Sequence, residues 1–136
     1  MLVQRREVLQ IRSELDLVRI RQVVRNWAVE LKFSLVEQTK VVTAASELGR
    51  NALVYGKGGI LTLESLQNMG TVGLRLDFKD EGPGIPDLEL ALKDGYTTGG
   101  GLGMGLPGAK RLANEFKIAS KVGEGTWVEI IKWKNK

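Results

Sequence analysis

Two amphipathic helical patterns follow one another with no strand between them, and that adjacency limits the fold of this 136-residue chain more than any other feature. Glu7 to Arg12 alternates and suggests a short strand, after which Ser13 caps a helix running to about Leu31. Leu17, Ile20, Val23, Val24, Trp27, Ala28 and Leu31 recur at helical spacing, while Arg19, Arg21, Gln22, Arg25 and Glu30 fall between them, so one face is buried and the other wet. Ser34 then caps a second helix, from about Val36 to Tyr55, with Val41, Ala44, Ala45, Leu48 and Ala52 inward; Gly56 to Gly59 stops it. Ile60 to Leu66 and Val72 to Phe78 read as a hairpin turning at Asn68-Met69-Gly70. A short helix from Asp87 to about Lys93, a helix from Leu106 to Phe116, and two strands, 117–121 and 126–133, complete the order. Strand, two helices, two strands, two helices, two strands is not a βαβ alternation. It predicts a single domain over residues 1–136, an α/β (α+β) two-layer sandwich on a largely antiparallel sheet.

Composition removes whole classes of chemistry. The chain has no Cys and no His, which excludes disulfides, thiolate nucleophiles, Cys-based zinc sites, His-containing triads and a phosphorylated His. Acid–base work falls to Asp, Glu, Lys or Tyr. Twenty Lys and Arg against sixteen Asp and Glu give a net charge of +4, but the basic residues are scattered, so no nucleic-acid partner is expected. Apolar runs are only a few residues long and the first ten residues lack a signal-peptide pattern, so neither a membrane span nor export is expected, and the expected location is cytoplasmic.

Four short segments carry possible chemistry. Glu47 and Asn51 lie four apart on one helix face, beside Thr43 and Tyr55. Such a pair is most simply a solvated polar stripe; its functional reading is an amide oxygen for Mg²⁺ and a carboxylate that orients or deprotonates a nucleophile. Asp80-Glu81-Gly82-Pro83-Gly84 follows the second hairpin strand, and Asp80 continues the buried parity of Val72, Leu74, Leu76 and Phe78. It serves either as an ordinary turn residue or as the partner of a purine amino group, with Gly82 and Gly84 allowing backbone to approach a flat ring. Gly99 to Gly105 holds five glycines in seven residues and opens a helix, which suits a linker or a polyphosphate cradle. Gly123-Glu124-Gly125-Thr126 is a hairpin turn whose Thr126 has the inward parity of Val128 and Ile130. Gly103 to Gly108 fits GxGxxG, but the polar stretch before it is no strand, and neither a P-loop nor the protein-kinase motif set is present.

In this order and spacing, the four segments resemble the N box and three glycine boxes of the GHKL ATPase superfamily, over about residues 40–127. The resemblance implies the Bergerat fold, with a mixed, mostly antiparallel sheet covered by helices on one face. It implies ATP and Mg²⁺, Asn51 as metal ligand, Glu47 as general base, Asp80 as adenine partner and Gly82 and Gly84 under the base. Gly101, Leu102, Gly103, Met104 and Gly105 would form the phosphate lid, and Thr126 would contact the adenine-binding carboxylate or its water. SELGRN, DEGPGIPD, DGYTTGGGLGMGLPGAKRLANEF and GEGTWVEIIKW look closest to the RsbT-type switch kinases of the stressosome, within the anti-sigma-factor serine/threonine kinase class. That likeness implies phosphorylation of a STAS-domain protein (RsbS-like or RsbR-like), then binding and activation of a PP2C-type phosphatase (RsbU-like). The alternatives are an anti-sigma factor that holds a sigma factor directly and a nucleotide-gated binding module. Trp127 and Trp133, on the opposite parity from Thr126, are candidates for a partner surface or for packing.

Overall fold

Helices cover one face of a five-stranded sheet in the computed structural model, which describes residues 1–93 and 105–135. The elements are β1 (Leu2–Ile11), α1 (Glu14–Glu30), α2 (Leu35–Val54), β2 (Gly59–Asn68), β3 (Thr71–Asp80), α3 (Leu88–Ala91), α4 (Gly105–Leu112), β4 (Glu115–Lys121) and β5 (Gly125–Trp133). The strand order is β1-β2-β3-β5-β4, and all four pairings are antiparallel. The sheet is therefore not mixed, because each neighbour in the ladder runs opposite to the last.

Both long helices begin with a reciprocal cap. The Ser13 hydroxyl accepts from the Asp16 N–H while the Asp16 carboxylate accepts from the Ser13 N–H; Ser34 and Glu37 repeat the arrangement. These bonds satisfy amides that a helix leaves open at its start. The inward stripes of α1 and α2 meet the inward residues of the sheet: Leu17, Ile20, Val24, Leu48, Leu61, Leu63, Leu74, Leu76 and Ile130 are all at most 2% exposed. α4 packs on α2.

The last helix is shorter than its sequence pattern suggests, ending at Leu112, and Phe116 lies in β4 opposite Ile130. Asn114 makes the change of direction: its N–H donates to the Ile131 carbonyl and its side-chain oxygen accepts from the Trp133 N–H. Position 116 fits both periodicities, helical with Ala109 and Leu112 and alternating with Ile118 and Ser120, so spacing alone could not place it.

The chain's end is tied to the start of α2. Glu37 is 3% exposed; one carboxylate oxygen accepts from the Ser34 N–H at 2.8 Å and the other from the Asn135 N–H at 2.6 Å. Burial pushes the Glu37 carboxyl up, but the Ser34 and Asn135 donors and the nearby Lys132 charge outweigh it and hold the group below the ordinary carboxylate range. On the opposite sheet face, Arg75 bonds Glu64 at 2.7 Å and lies 3.6 Å from Glu129, while the Trp127 indole N–H donates to Asp77 and the Trp133 indole N–H to Glu115. Trp133 also lies over Gly73, where a Cβ would meet its ring at 2.5 Å.

Candidate active site

Asp80 is the last residue of β3 and is half-buried beside the C-terminal end of α2. Its Oδ1 accepts two backbone N–H bonds, from Gly82 at 2.9 Å and from Thr126 at 3.2 Å. Both donors converge on one oxygen, and among the described residues no donor reaches the other. A half-buried carboxylate oxygen left without a donor needs one from a ligand or from water. That donor set fits an exocyclic amino group, which carries two N–H bonds and no lone pair available in the ring plane.

The backbone around Asp80 is set by close approaches that exclude side chains. A Cβ on Gly56 would sit 2.4 Å from Asp80 Cγ, one on Gly82 would sit 2.6 Å from Gly56 Cα, and one on Gly125 would sit 2.1 Å from the Asp80 carbonyl oxygen. A Cβ on Gly84, at φ +80°, would sit 2.5 Å from the Lys121 carbonyl oxygen. The glycines after Asp80 are thus required by neighbouring protein backbone, a reason independent of any ring lying over them. Gly56 and Gly125 belong to the site as much as Gly82 and Gly84 do. In sequence, Gly56 reads as a helix stop and Gly125 as half of a turn; Gly56 reaches Asp80 through the register Gly59↔Asp80, and Gly125 through the β3–β5 register that ends at Lys79↔Trp127.

Thr126 reaches Asp80 through its backbone N–H, not its hydroxyl. The hydroxyl lies 2.8 Å from Ser120 Oγ on β4, and Ser120 also accepts from the Ile85 N–H at 2.7 Å and donates to the Gly125 carbonyl at 3.1 Å. Ser120 was not singled out in the sequence, where it reads as one more alternating strand residue. The Gly123 N–H adds a bond to the Pro83 carbonyl, so the loop after β3 is fastened along its length to the β4–β5 turn.

Glu47 and Asn51 stand one turn apart on α2, both half-buried, on the side of the helix flanking its apolar stripe. Gly56 lies nine positions after Glu47, so this polar pair lies back along α2 from Asp80, on the helix against which α4 packs. Glu47 has no ion pair among the described residues. No group of three or more acidic residues able to hold a metal occurs among the described residues either. Gly105 opens α4 at φ +54°, a conformation suited to glycine. Gly101, Leu102, Gly103 and Met104 lie outside the described residues.

Taken together, a two-layer sandwich with an antiparallel sheet, a polar face on the second helix and a carboxylate at the end of β3 define the Bergerat class of ATP-binding fold. Residues 36–136 match the family described as histidine kinase-, DNA gyrase B-, and HSP90-like ATPase, and the chain belongs to that family. Within it, the chain is RsbT-like: it is 47% identical over 123 residues to the serine/threonine-protein kinase RsbT of Bacillus subtilis, covering 90% of this chain and 92% of that protein. It is also 34% identical over 119 residues to an anti-sigma F factor of Anoxybacillus flavithermus, covering 82% of this chain and 80% of that protein. A crystal structure of the RsbU and RsbW domains of a Mycobacterium tuberculosis protein superposes with a TM-score of 0.66 at 17% identity, which shows the shared fold. The chain matches over 96% of its own length but spans a third of that structure's chain. No described helix is long and apolar enough to cross a membrane.

Proposed function

We propose that this ATP-binding serine/threonine kinase is a single-domain partner switch that phosphorylates a Ser or Thr of a STAS-domain protein and then engages a PP2C-type phosphatase regulator. The observation that carries the nucleotide reading is Asp80, which has one oxygen bound by two backbone N–H groups and the other left for a ligand's amino group. The 47% identity to RsbT carries the protein-kinase reading. Bound with ATP, Mg²⁺ would neutralise charge on the transferring phosphoryl oxygens. Asn51 would hold that ion through its amide oxygen, and Glu47, one turn earlier on the same rigid helix, would accept the proton of the attacking hydroxyl. Gly101, Gly103 and Gly105, with Leu102 and Met104, would present backbone N–H groups to the phosphates. Asp80 would fix the base.

The test is radiolabelled transfer from Mg-ATP to a panel of purified STAS-domain proteins, with Asn51→Ala as control. Label on one STAS protein, absent with the mutant, is the expected result. Label that persists with Asn51→Ala would remove the metal role. A second reading is favoured by the 34% identity to an anti-sigma F factor: direct capture of a sigma factor. Pull-down of a sigma factor in place of a phosphatase regulator would select it.

A further inference from the structure

We infer that Ser120 is a positioning residue that makes the base site accept an amino group and reject a carbonyl, by consuming the hydroxyl proton of Thr126. The inference rests on the nucleotide site proposed above and names a determinant of its selectivity. A hydroxyl has one proton and two lone pairs. Ser120 Oγ has three partners: the Ile85 N–H at 2.7 Å, the Gly125 carbonyl at 3.1 Å and Thr126 Oγ1 at 2.8 Å. The Ile85 amide can only donate and the Gly125 carbonyl can only accept, so the first occupies a lone pair of Ser120 and the second takes its proton. All three contacts are satisfied together only when Thr126 donates to Ser120.

Thr126 then has no proton left for a ligand. Its backbone N–H is also committed, to Asp80 Oδ1, which takes the Gly82 N–H as well. Among the described residues, two acceptors without a further donor remain at this end of the sheet, Asp80 Oδ2 and Thr126 Oγ1, on strand positions of the same inward parity. A 6-amino purine complements them. It can offer both amino N–H bonds to these acceptors, whereas a 6-oxo purine such as hypoxanthine has only its N1–H to offer there and sets the O6 lone pairs against the remaining acceptor, a polar mismatch that discriminates more strongly than lost surface contact does.

The experiment is calorimetric titration of Mg-ATP and Mg-ITP into the full chain and into Ser120→Ala, Ser120→Thr and Thr126→Val, each first shown to unfold cooperatively. Wild type should prefer ATP. Ser120→Ala frees the Thr126 hydroxyl to rotate and donate, so the ATP-over-ITP preference should shrink by about fivefold or more. Ser120→Thr restores the hydroxyl and should restore the preference. In a Thr126→Val background, Ser120→Ala should leave the ratio unchanged, which keeps the inference testable if the single variant folds poorly. A Ser120→Ala variant whose affinities for both nucleotides fall equally, with the ratio within twofold of wild type, would overturn the inference and leave Ser120 as a brace for the loop at Ile85. Wild type that binds neither nucleotide would instead overturn the nucleotide site itself.

Discussion

One methyl group at position 56 should empty the base site without touching a ligand. A Cβ there would lie 2.4 Å from Asp80 Cγ, with the short Asp side chain pinned by the Gly82 and Thr126 amides and unable to swing aside. Gly56→Ala should therefore fold but bind ATP at least tenfold more weakly in calorimetry, the loss expected from misplacing a charge-assisted bond of about 1.5–3 kcal/mol. Asp80→Asn tests the same carboxylate from inside. The amide oxygen would keep the two backbone N–H bonds and turn its NH₂ toward the ligand's own NH₂, so ATP affinity should fall by roughly 10- to 100-fold while thermal stability changes little. Equal ATP affinity in wild type and Asp80→Asn would remove Asp80 from base recognition.

At the scale of elements, the β2–β3 hairpin and the start of α2 each contain a feature whose strength can be measured. The hairpin turns on Met69 and Gly70, both at positive φ, 51° and 82°, with Met69 97% exposed. Asn tolerates that backbone better than Met, so Met69→Asn should stabilise the fold by about 0.5–1 kcal/mol in urea unfolding. Glu37 links the α2 cap to Asn135, and Glu37→Gln should cost about 1.5–3 kcal/mol at neutral pH because one of its two buried backbone donors loses its acceptor. Since the folded carboxyl titrates below its unfolded value, its contribution is complete above the unfolded value and is lost as pH falls through the lower folded one. The stability gap between wild type and Glu37→Gln should accordingly close on acidification below about pH 4. These elements were largely legible beforehand: both helices are capped where Ser13 and Ser34 stand, and the hairpin turns where Gly70 allows it. The residues missed were of two kinds. Phe116 satisfies two periodicities at once, and Ser120, Gly56 and Gly125 matter only through contacts between segments distant in sequence, which no local pattern encodes.

For the molecule as a whole, the fastening of the loop after β3 to α2 on one side and to the β4–β5 turn on the other couples ligand binding to global stability. At a hundredfold excess of ATP over its dissociation constant, wild type should gain about 2.7 kcal/mol, seen as a rise of several degrees in the thermal midpoint; Gly56→Ala, binding ATP at least tenfold more weakly, should gain no more than about 1.4 kcal/mol at the same ATP concentration, about half that rise. The fold's outline followed from the order of amphipathic and alternating segments, because two neighbouring helices and a hairpin leave few ways to build two layers. The all-antiparallel character of the sheet did not, since the partner of each strand is chosen by burial over the whole domain. The run of α2 from Glu47 to its end at Val54 has one more consequence. At about 1.5 Å per residue it spans roughly 10.5 Å, and because Asp80 abuts Gly56 just past its far end, the helix is a gauge of ligand length: in the proposed site a nucleoside fills the Asp80 end alone, and only a molecule with an extended anionic tail reaches both ends at once.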